Sequence, residues 1–186
     1  MNAKEADKIL LKLSDDCVGN REIMQKYSIK TYTSYNEIDV RGFCSLVEDG
    51  FACEQGTKRL VDNYFNIVDI KKIFLAEKDG VYLGAIVLED TEHSFSYMDK
   101  FVTRKEYQKN GIGKKLFETV LKEEKKMCWR AKSDNPVIDF YKKIASGYTI
   151  SEDWYCFWKA LDITEIPNAI DYCLSKEETL VRVAKK

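Results

Sequence analysis

The sequence has one histidine, His93. That nearly removes the usual general base and the commonest zinc ligand, so neither a Ser-His-Asp triad nor a metal site is expected. Any base must be a carboxylate, a tyrosine or a water. None of the six cysteines, Cys17, Cys44, Cys53, Cys128, Cys156 and Cys173, makes a C-x-x-C pair. They read as free thiols of a reducing compartment, mostly small core residues, and a cytoplasmic location is expected. No run reaches the ~18 apolar residues of a membrane span, and no signal-peptide pattern opens the chain, so no membrane contact is expected. Charge of one sign is missing too. The 30 Lys and Arg nearly balance the 31 Asp and Glu, for a net charge of −1. A nucleic-acid surface would need a basic excess. The mixed run Lys122 to Lys126 is read as a solvated helix face.

What is present suits one domain over 1–186 with a real core, about 28–161, and helical extensions at both ends. Ile9, Leu10, Leu13 and Val18 mark an N-terminal helix. Tyr27 to Ser34 is β-branched and aromatic, a strand. Val40, Phe43, Val47 and Phe51 have helical spacing, and Leu60, Val61, Tyr64 and Phe65 predict a second helix over 57–68. "KKIFLAE" and "VYLGAIVLE" are strands joined by Asp79-Gly80, a hairpin signal because both positions tolerate positive φ. "SFSYMDKFVT" is a third strand. A helix follows with Ile112, Leu116, Phe117, Val120 and Leu121 on one face. "MCWRAK" is a short buried strand. "NPVIDFYKKI" is a helix with Asn135 as N-cap and Pro136 as its first residue. "DWYCFWKAL" is an aromatic strand, and the tail from Asp162 is a helix. The order β-α-α-β-β-β-α-β-α-β makes the fold α+β (mixed α/β).

Gln108-Lys109-Asn110-Gly111-Ile112-Gly113 follows a strand and opens a helix. Glycines let a backbone approach an anion closely, and the free N–H groups and dipole of the helix favour a phosphate. The motif Q-x-x-G-x-G is neither a Walker A loop nor G-x-G-x-x-G. By itself it fits an ordinary loop equally well.

Its context, two helices, a hairpin, a strand, then this loop, resembles the GNAT superfamily of acetyl-CoA-dependent N-acyltransferases. Trp129-Arg130-Ala131-Lys132, Asn135-Pro136, Phe140-Tyr141, Ser146-Gly147 and Trp154 to Phe157-Trp158, with "YMDKF", are closer still to the acetyltransferase domain of vertebrate-type N-acetylglutamate synthases. The resemblance runs from about Ile38 to Leu161. It departs at Lys132, where the family has a second arginine, which keeps the charge and loses a bidentate grip.

The resemblance implies a mostly antiparallel sheet flanked by helices, and acetylation of L-glutamate by acetyl-CoA, the opening step of arginine biosynthesis. It implies that Lys100, Arg130, Lys132 and Asn135 hold glutamate, and that Tyr141, with Asn135, acts in catalysis, Tyr141 as general acid. Backbone groups of Phe101, Val102 and Thr103 would meet the pantetheine. Gln108, Lys109, Asn110, Gly111, Ile112, Gly113 and Lys114 would meet the diphosphate. Family members often carry an amino-acid kinase domain with an arginine site; none is found in these residues, so little arginine response is expected. A homodimer is compatible with the sequence.

Strand alternation puts Arg130 and Lys132 on one face. Two buried cations need an anion, which is either a dicarboxylate substrate or acidic side chains of a neighbouring strand. For Tyr141 the alternative is a core aromatic, and for Asn135 simple capping. Trp129, Trp154, Phe157 and Trp158 are read as core, and Cys128 and Cys156 as thiols without a nucleophilic role. Alternation also sets Asp99 opposite Lys100, which favours an ordered water as the base. The competing functions are acetylation of another small amine or a protein lysine, and a non-catalytic acyl-CoA-binding module.

Overall fold

The computed structural model describes residues 27–52 and 56–184. The expected N-terminal helix, Cys17 and Cys53 lie outside the described residues. Among the described residues, no helix is long and apolar enough to cross a membrane.

The chain runs β1 (Ser28–Tyr32), α1 (Val40–Gly50), β2 (Gly56–Leu60), α2 (Tyr64–Ile67), β3 (Ile70–Lys78), β4 (Val81–Glu89) and β5 (Ser96–Thr103). It continues with α3 (Ile112–Glu123), β6 (Met127–Lys132), α4 (Ile138–Ile144), β7 (Gly147–Ser151), β8 (Trp154–Lys159), α5 (Ile166–Ser175) and β9 (Leu180–Ala184). Seven strands form one sheet in the order β1-β3-β4-β5-β6-β8-β7, and β2 and β9 form a separate ribbon. Neighbours in the large sheet are antiparallel except β5 and β6.

Alternation divides the core in two. Ile86 and Leu88 of β4 face α3 and α4, packing with Leu116, Phe117, Trp129 and Tyr141. Ala85 and Val87 face the other way, against Phe43, Leu46 and Val47 of α1. α5 covers the far end of that second face, where Cys173 meets Cys128 and Cys156. The hairpin forms as its dipeptide predicts, with Asp79 at φ 50° and Gly80 at φ 78° between paired Lys78 and Val81.

Four elements depart from expectation. Residues 57–60 are strand, not helix, because β9 supplies a ladder from Gly56↔Ala184 to Leu60↔Leu180; only Tyr64–Ile67 is helical. The tail beyond Asp162 ends in that same strand after α5. β7 was not expected, and pairs with β8 from Gly147↔Trp158 to Ser151↔Trp154. The start of α4 moves by two residues. Asn135 Oδ1 accepts the Val137 N–H at 3.1 Å, Pro136 lies in the turn, and the helix begins at Ile138.

Glu124 ends α3 and ties it to two strands. It accepts from Lys71 and Lys72 of β3 and from Ser96 of β5, each at 3.1 Å. Burial pushes its carboxyl up, but the Lys72 and Lys71 hydrogen bonds and the Lys71 charge outweigh that and hold it below the usual carboxylate range. A depressed folded value means stabilisation that is present above the unfolded value of about 4.3 and is lost as pH falls through the folded one. Glu124→Gln is therefore expected to cost about 1 kcal/mol in urea unfolding at pH 7. The deficit against wild type should shrink as pH falls below about 4 and close once the folded carboxyl is itself protonated.

Candidate active site

The site begins where the sheet opens. β5 and β6 pair only at Ser96↔Met127 and Tyr97↔Cys128. The β4 register jumps at the same place, from Val87↔Lys100 to Leu88↔Met98, leaving Asp99 as an inserted residue. A bulge of this kind bends and twists the strand that carries it. Beyond it β5 parts from β6, and Lys100 to Thr103 keep β4 on one edge and have no strand on the other. Phe101, Val102 and Thr103, singled out from the sequence, lie on this open edge.

The bulge also corrects the expected faces. Met98 and Phe101, three residues apart, both join the α3 side, so Asp99 and Lys100 share the opposite face. Lys100 Nζ lies 2.6 Å from Asp99 Oδ2 and also donates to Thr179 Oγ1. The Tyr64 hydroxyl donates to Asp99 at 2.7 Å. Burial lowers the Lys100 pKa, opposed by Asp99, and burial followed by the Asp99 charge raises that of Tyr64. Lys100 is thus a buried cation with an internal counter-ion, not the free anion receptor expected.

Arg130 and Lys132 do share a face, as alternation predicts. Arg130 donates to the carbonyls of Cys173 at 2.9 Å and Glu177 at 3.1 Å. Lys132 pairs with Glu178 at 2.7 Å. Trp154, opposite Lys132 in register, carries both cations on its ring, at 4.0 Å for Arg130 and 4.6 Å for Lys132. The acidic partner therefore comes from the C-terminal segment and not from a neighbouring strand. From the sequence, Trp154 is placed in the core, Asp99 is set aside on strand parity, and Glu178 and Thr179 are passed over. The signal for Trp154 was available: it has the opposite parity to buried Phe157 on one strand.

Across the sheet, Tyr141 is enclosed by Trp129, Phe157 and Phe101, with ring centroids at 5.5, 5.3 and 5.9 Å. Burial pushes its phenol far above the ordinary value, so it keeps its proton. The packing reading and the donor reading of Tyr141 are compatible. Cys128, Cys156 and Cys173 touch one another in the core; the hydrogen bond with Cys173, then burial, raises the Cys156 thiol.

The glycine loop is held by Gln108, whose Nε2 donates to the carbonyls of Gly50 at 3.1 Å and Thr103 at 3.2 Å. Gln108 therefore shapes the loop. Lys109 at φ 67° and Gly111 at φ 86° flank Asn110 and turn the chain into α3. The first helical bond there is Lys115 N–H to the Gly111 carbonyl, so the N–H groups of Ile112, Gly113 and Lys114 precede the ladder. The Ile112 side chain is fully buried, leaving only its backbone for the loop. A Cβ on Gly113 would come within 2.7 Å of Phe101 Cζ. Glycine there lets the helix end sit directly against the open strand. The Lys114 side chain is exposed, 3.9 Å from Glu118. Free N–H groups at a helix start beside an open strand edge fit a diphosphate joined to an amide-bearing chain. Among the described residues no cluster of His, Cys, Asp or Glu suits a metal ion.

Comparison with known proteins agrees with this geometry. A mitochondrial N-acetylglutamate synthase of Danio rerio is 27% identical over 155 residues, 81% of this chain and 28% of that protein. An acetylglutamate kinase of Xanthomonas campestris pv. campestris is 27% identical over 154 residues, 80% of this chain and 34% of that protein. The chain thus spans about a third of the length of these curated relatives. Among solved structures, Arabidopsis thaliana Naa50 in complex with the bisubstrate analogue CoA-Ac-MVNAL superposes with a TM-score of 0.54 at 18% identity, over 72% of this chain and 99% of that one. The PaiA N-acetyltransferase of Thermoplasma acidophilum in complex with coenzyme A gives 0.51 at 17%, over 71% and 98%. At such identities the likeness establishes the fold, which is that of the GNAT acetyltransferases. A family model, NAT, N-acetyltransferase, of N-acetylglutamate synthase, matches residues 30–176, a span that takes in every element bordering the opening between β5 and β6. The chain is a member of that family.

Proposed function

We propose that this chain is an acetyl-CoA-dependent N-acetyltransferase whose acceptor is the amino group of L-glutamate. The observation that carries the reading is the pair of cations, Arg130 and Lys132, laid over Trp154 on one face of an opened sheet whose other face presents Tyr141. Acetyl-CoA supplies the thioester. The N–H groups of Ile112, Gly113 and Lys114 take its diphosphate, with Lys109, Asn110 and Gly111 lining the turn. The open edge at Phe101 to Thr103 pairs with the pantetheine amides, and a backbone N–H at Phe101 or Val102 faces the thioester oxygen, where negative charge develops.

The amine attacks the thioester carbon, the carbon–sulfur bond breaks, and the thiolate leaves. Tyr141 gives its proton to that sulfur. One proton of the acceptor's ammonium passes to water before attack, and the second, shed as the nitrogen becomes an amide, returns to the Tyr141 oxygen, so that the phenol is restored. Arg130 and Lys132 take the acceptor's carboxylates, and Lys100 lends a positive field held in place by Asp99. Asn135 uses its Oδ1 on the Val137 N–H, and its Nδ2 donors remain for the reacting pair. Alignment of amine and thioester supplies a large part of the rate. A second reading, another small amine as acceptor, rests on Lys132: a point charge where the family has a planar fork holds a second carboxylate less specifically.

The deciding assay is release of free coenzyme A thiol with a panel of amino acids and a lysine peptide. Glutamate should have the highest kcat/KM, and a better acceptor in the panel would replace it in this reading. Gly111→Asp should weaken coenzyme A binding at least ~10-fold by calorimetry, since a carboxylate then faces the phosphates. Asp tolerates the left-handed backbone better than most residues, which favours folding of this variant. An unchanged Kd would place the diphosphate elsewhere. Tyr141→Phe keeps the ring packing and removes only the donor. Its kcat should fall by ~10²- to 10⁴-fold with both KM values and the Tm little changed. A wild-type kcat with a lowered Tm would assign Tyr141 to packing alone.

A further inference from the structure

Lys100, Arg130 and Lys132 are each met by the chain near its C-terminus, from the end of α5 to Thr179. Thr179 takes Lys100, the carbonyls of Cys173 and Glu177 take Arg130, and the Glu178 carboxylate takes Lys132. Residues 176–179 are neither helix nor strand, and bridge α5 to β9. Their far anchor is the β2–β9 ribbon, extended by the Val61 N–H to the Thr179 carbonyl at 3.1 Å. An isolated two-stranded ribbon is marginal in water. Ile67, Val68, Ser175, Lys176, Glu177 and Thr179 line a cavity of about 230 Å3 beneath the stretch. The family match ends at residue 176, the first residue of the stretch.

The contacts are unequal. The Lys100 and Asp99 side chains are 3% and 5% exposed, whereas those of Lys132 and Glu178 are 35% and 54% exposed. A half-exposed pair is weak and readily exchanged. Its anion is also the group that an acidic acceptor would bring.

We propose that residues 176–179 form an intrasteric strap over the acceptor site, in which Glu178 holds the place of an acceptor carboxylate on Lys132 and is displaced when the acceptor binds. The inference rests on the acceptor being an acidic amino acid. It makes the strap a competitor built into the chain, which raises the apparent KM for the acceptor without touching the chemistry. The Arg130 contacts to backbone carbonyls persist on displacement of Glu178 alone, so the strap need release only its middle.

The test separates the strap from the reaction by using glutarate, a dicarboxylate with no amine to acetylate. Calorimetry compares the full chain with Glu178→Gln and Glu177→Gln; Glu177 contributes only its carbonyl to Arg130. Removing a competitor raises the fraction of the binding-competent state, and a pair worth about 0.5–1 kcal/mol holds that fraction down by ~3- to 6-fold, so Glu178→Gln should bind glutarate ~3- to 6-fold tighter, with Glu177→Gln unchanged. Equal affinity in wild type and Glu178→Gln, no measurable glutarate binding in either, or equal tightening by both substitutions would overturn the strap. Thiol release with glutamate is read on the same preparations, where Glu178→Gln should lower KM and leave kcat unchanged. If glutamate is not turned over by any of them while glutarate still tightens on Glu178→Gln, the strap stands and the assigned acceptor falls. If glutamate is turned over with equal KM and glutarate binds equally, the acceptor stands and the strap falls.

Discussion

One inserted residue in β5 governs the working half of the molecule. Were Asp99 an ordinary paired residue and not a bulge, alternation would turn Lys100 to the face shared by Met98, Phe117 and Trp129. A lone ammonium among those groups would be heavily destabilising. The bulge turns Lys100 to the other face and places a carboxylate beside it, with Tyr64 as a second donor to that carboxylate. The same local twist ends the β5–β6 ladder after two pairs. The opening of the sheet and the neutralisation of its buried lysine are two results of one backbone irregularity.

The two faces then differ in kind. On the α3 and α4 side the contacts are aromatic, and burial holds the Tyr141 proton in place. On the α5 side every cation has a counterpart, graded by exposure. Lys100 is enclosed with Asp99, where breaking the pair would strand a buried charge. Arg130 is half-covered, stacked on Trp154 and bonded to carbonyls. Lys132 meets Glu178 near solvent, where exchange of one carboxylate for another changes little in desolvation. The gradient runs from fixed to exchangeable along one face.

The glycines of the loop act through their neighbours. Gly111 permits the left-handed turn, and Gly113 permits contact between the helix start and Phe101. Gln108 gives its side chain to the carbonyls of Gly50 and Thr103, and so couples the loop to the end of α1 and the end of β5. The motif is thus a joint between three elements.

Local chemistry was sufficient for much of this. The Asp79-Gly80 hairpin, the helical faces of α1 and α3, the buried strand β6 and the shared face of Arg130 and Lys132 follow from periods of 3.6 and 2 and from turn residues, which act within a few positions. The strand–glycine loop–helix order was legible for the same reason, whereas Tyr141 was singled out by the family resemblance alone. β2 was not, because its partner β9 lies some 120 residues away and no local pattern records which distant segment will complete a ladder. β7 likewise owes its strand state to β8. Asp99 escaped because alternation assumes an unbroken strand, and a bulge is visible only in the register against β4. The sequence by itself determined which residues carry charge, apolar surface and backbone freedom. Tertiary structure decided which of those charges meet, since Lys100, Arg130 and Lys132 find their partners in residues 43 to 79 positions away or, for Asp99, through a register that only a neighbouring strand defines.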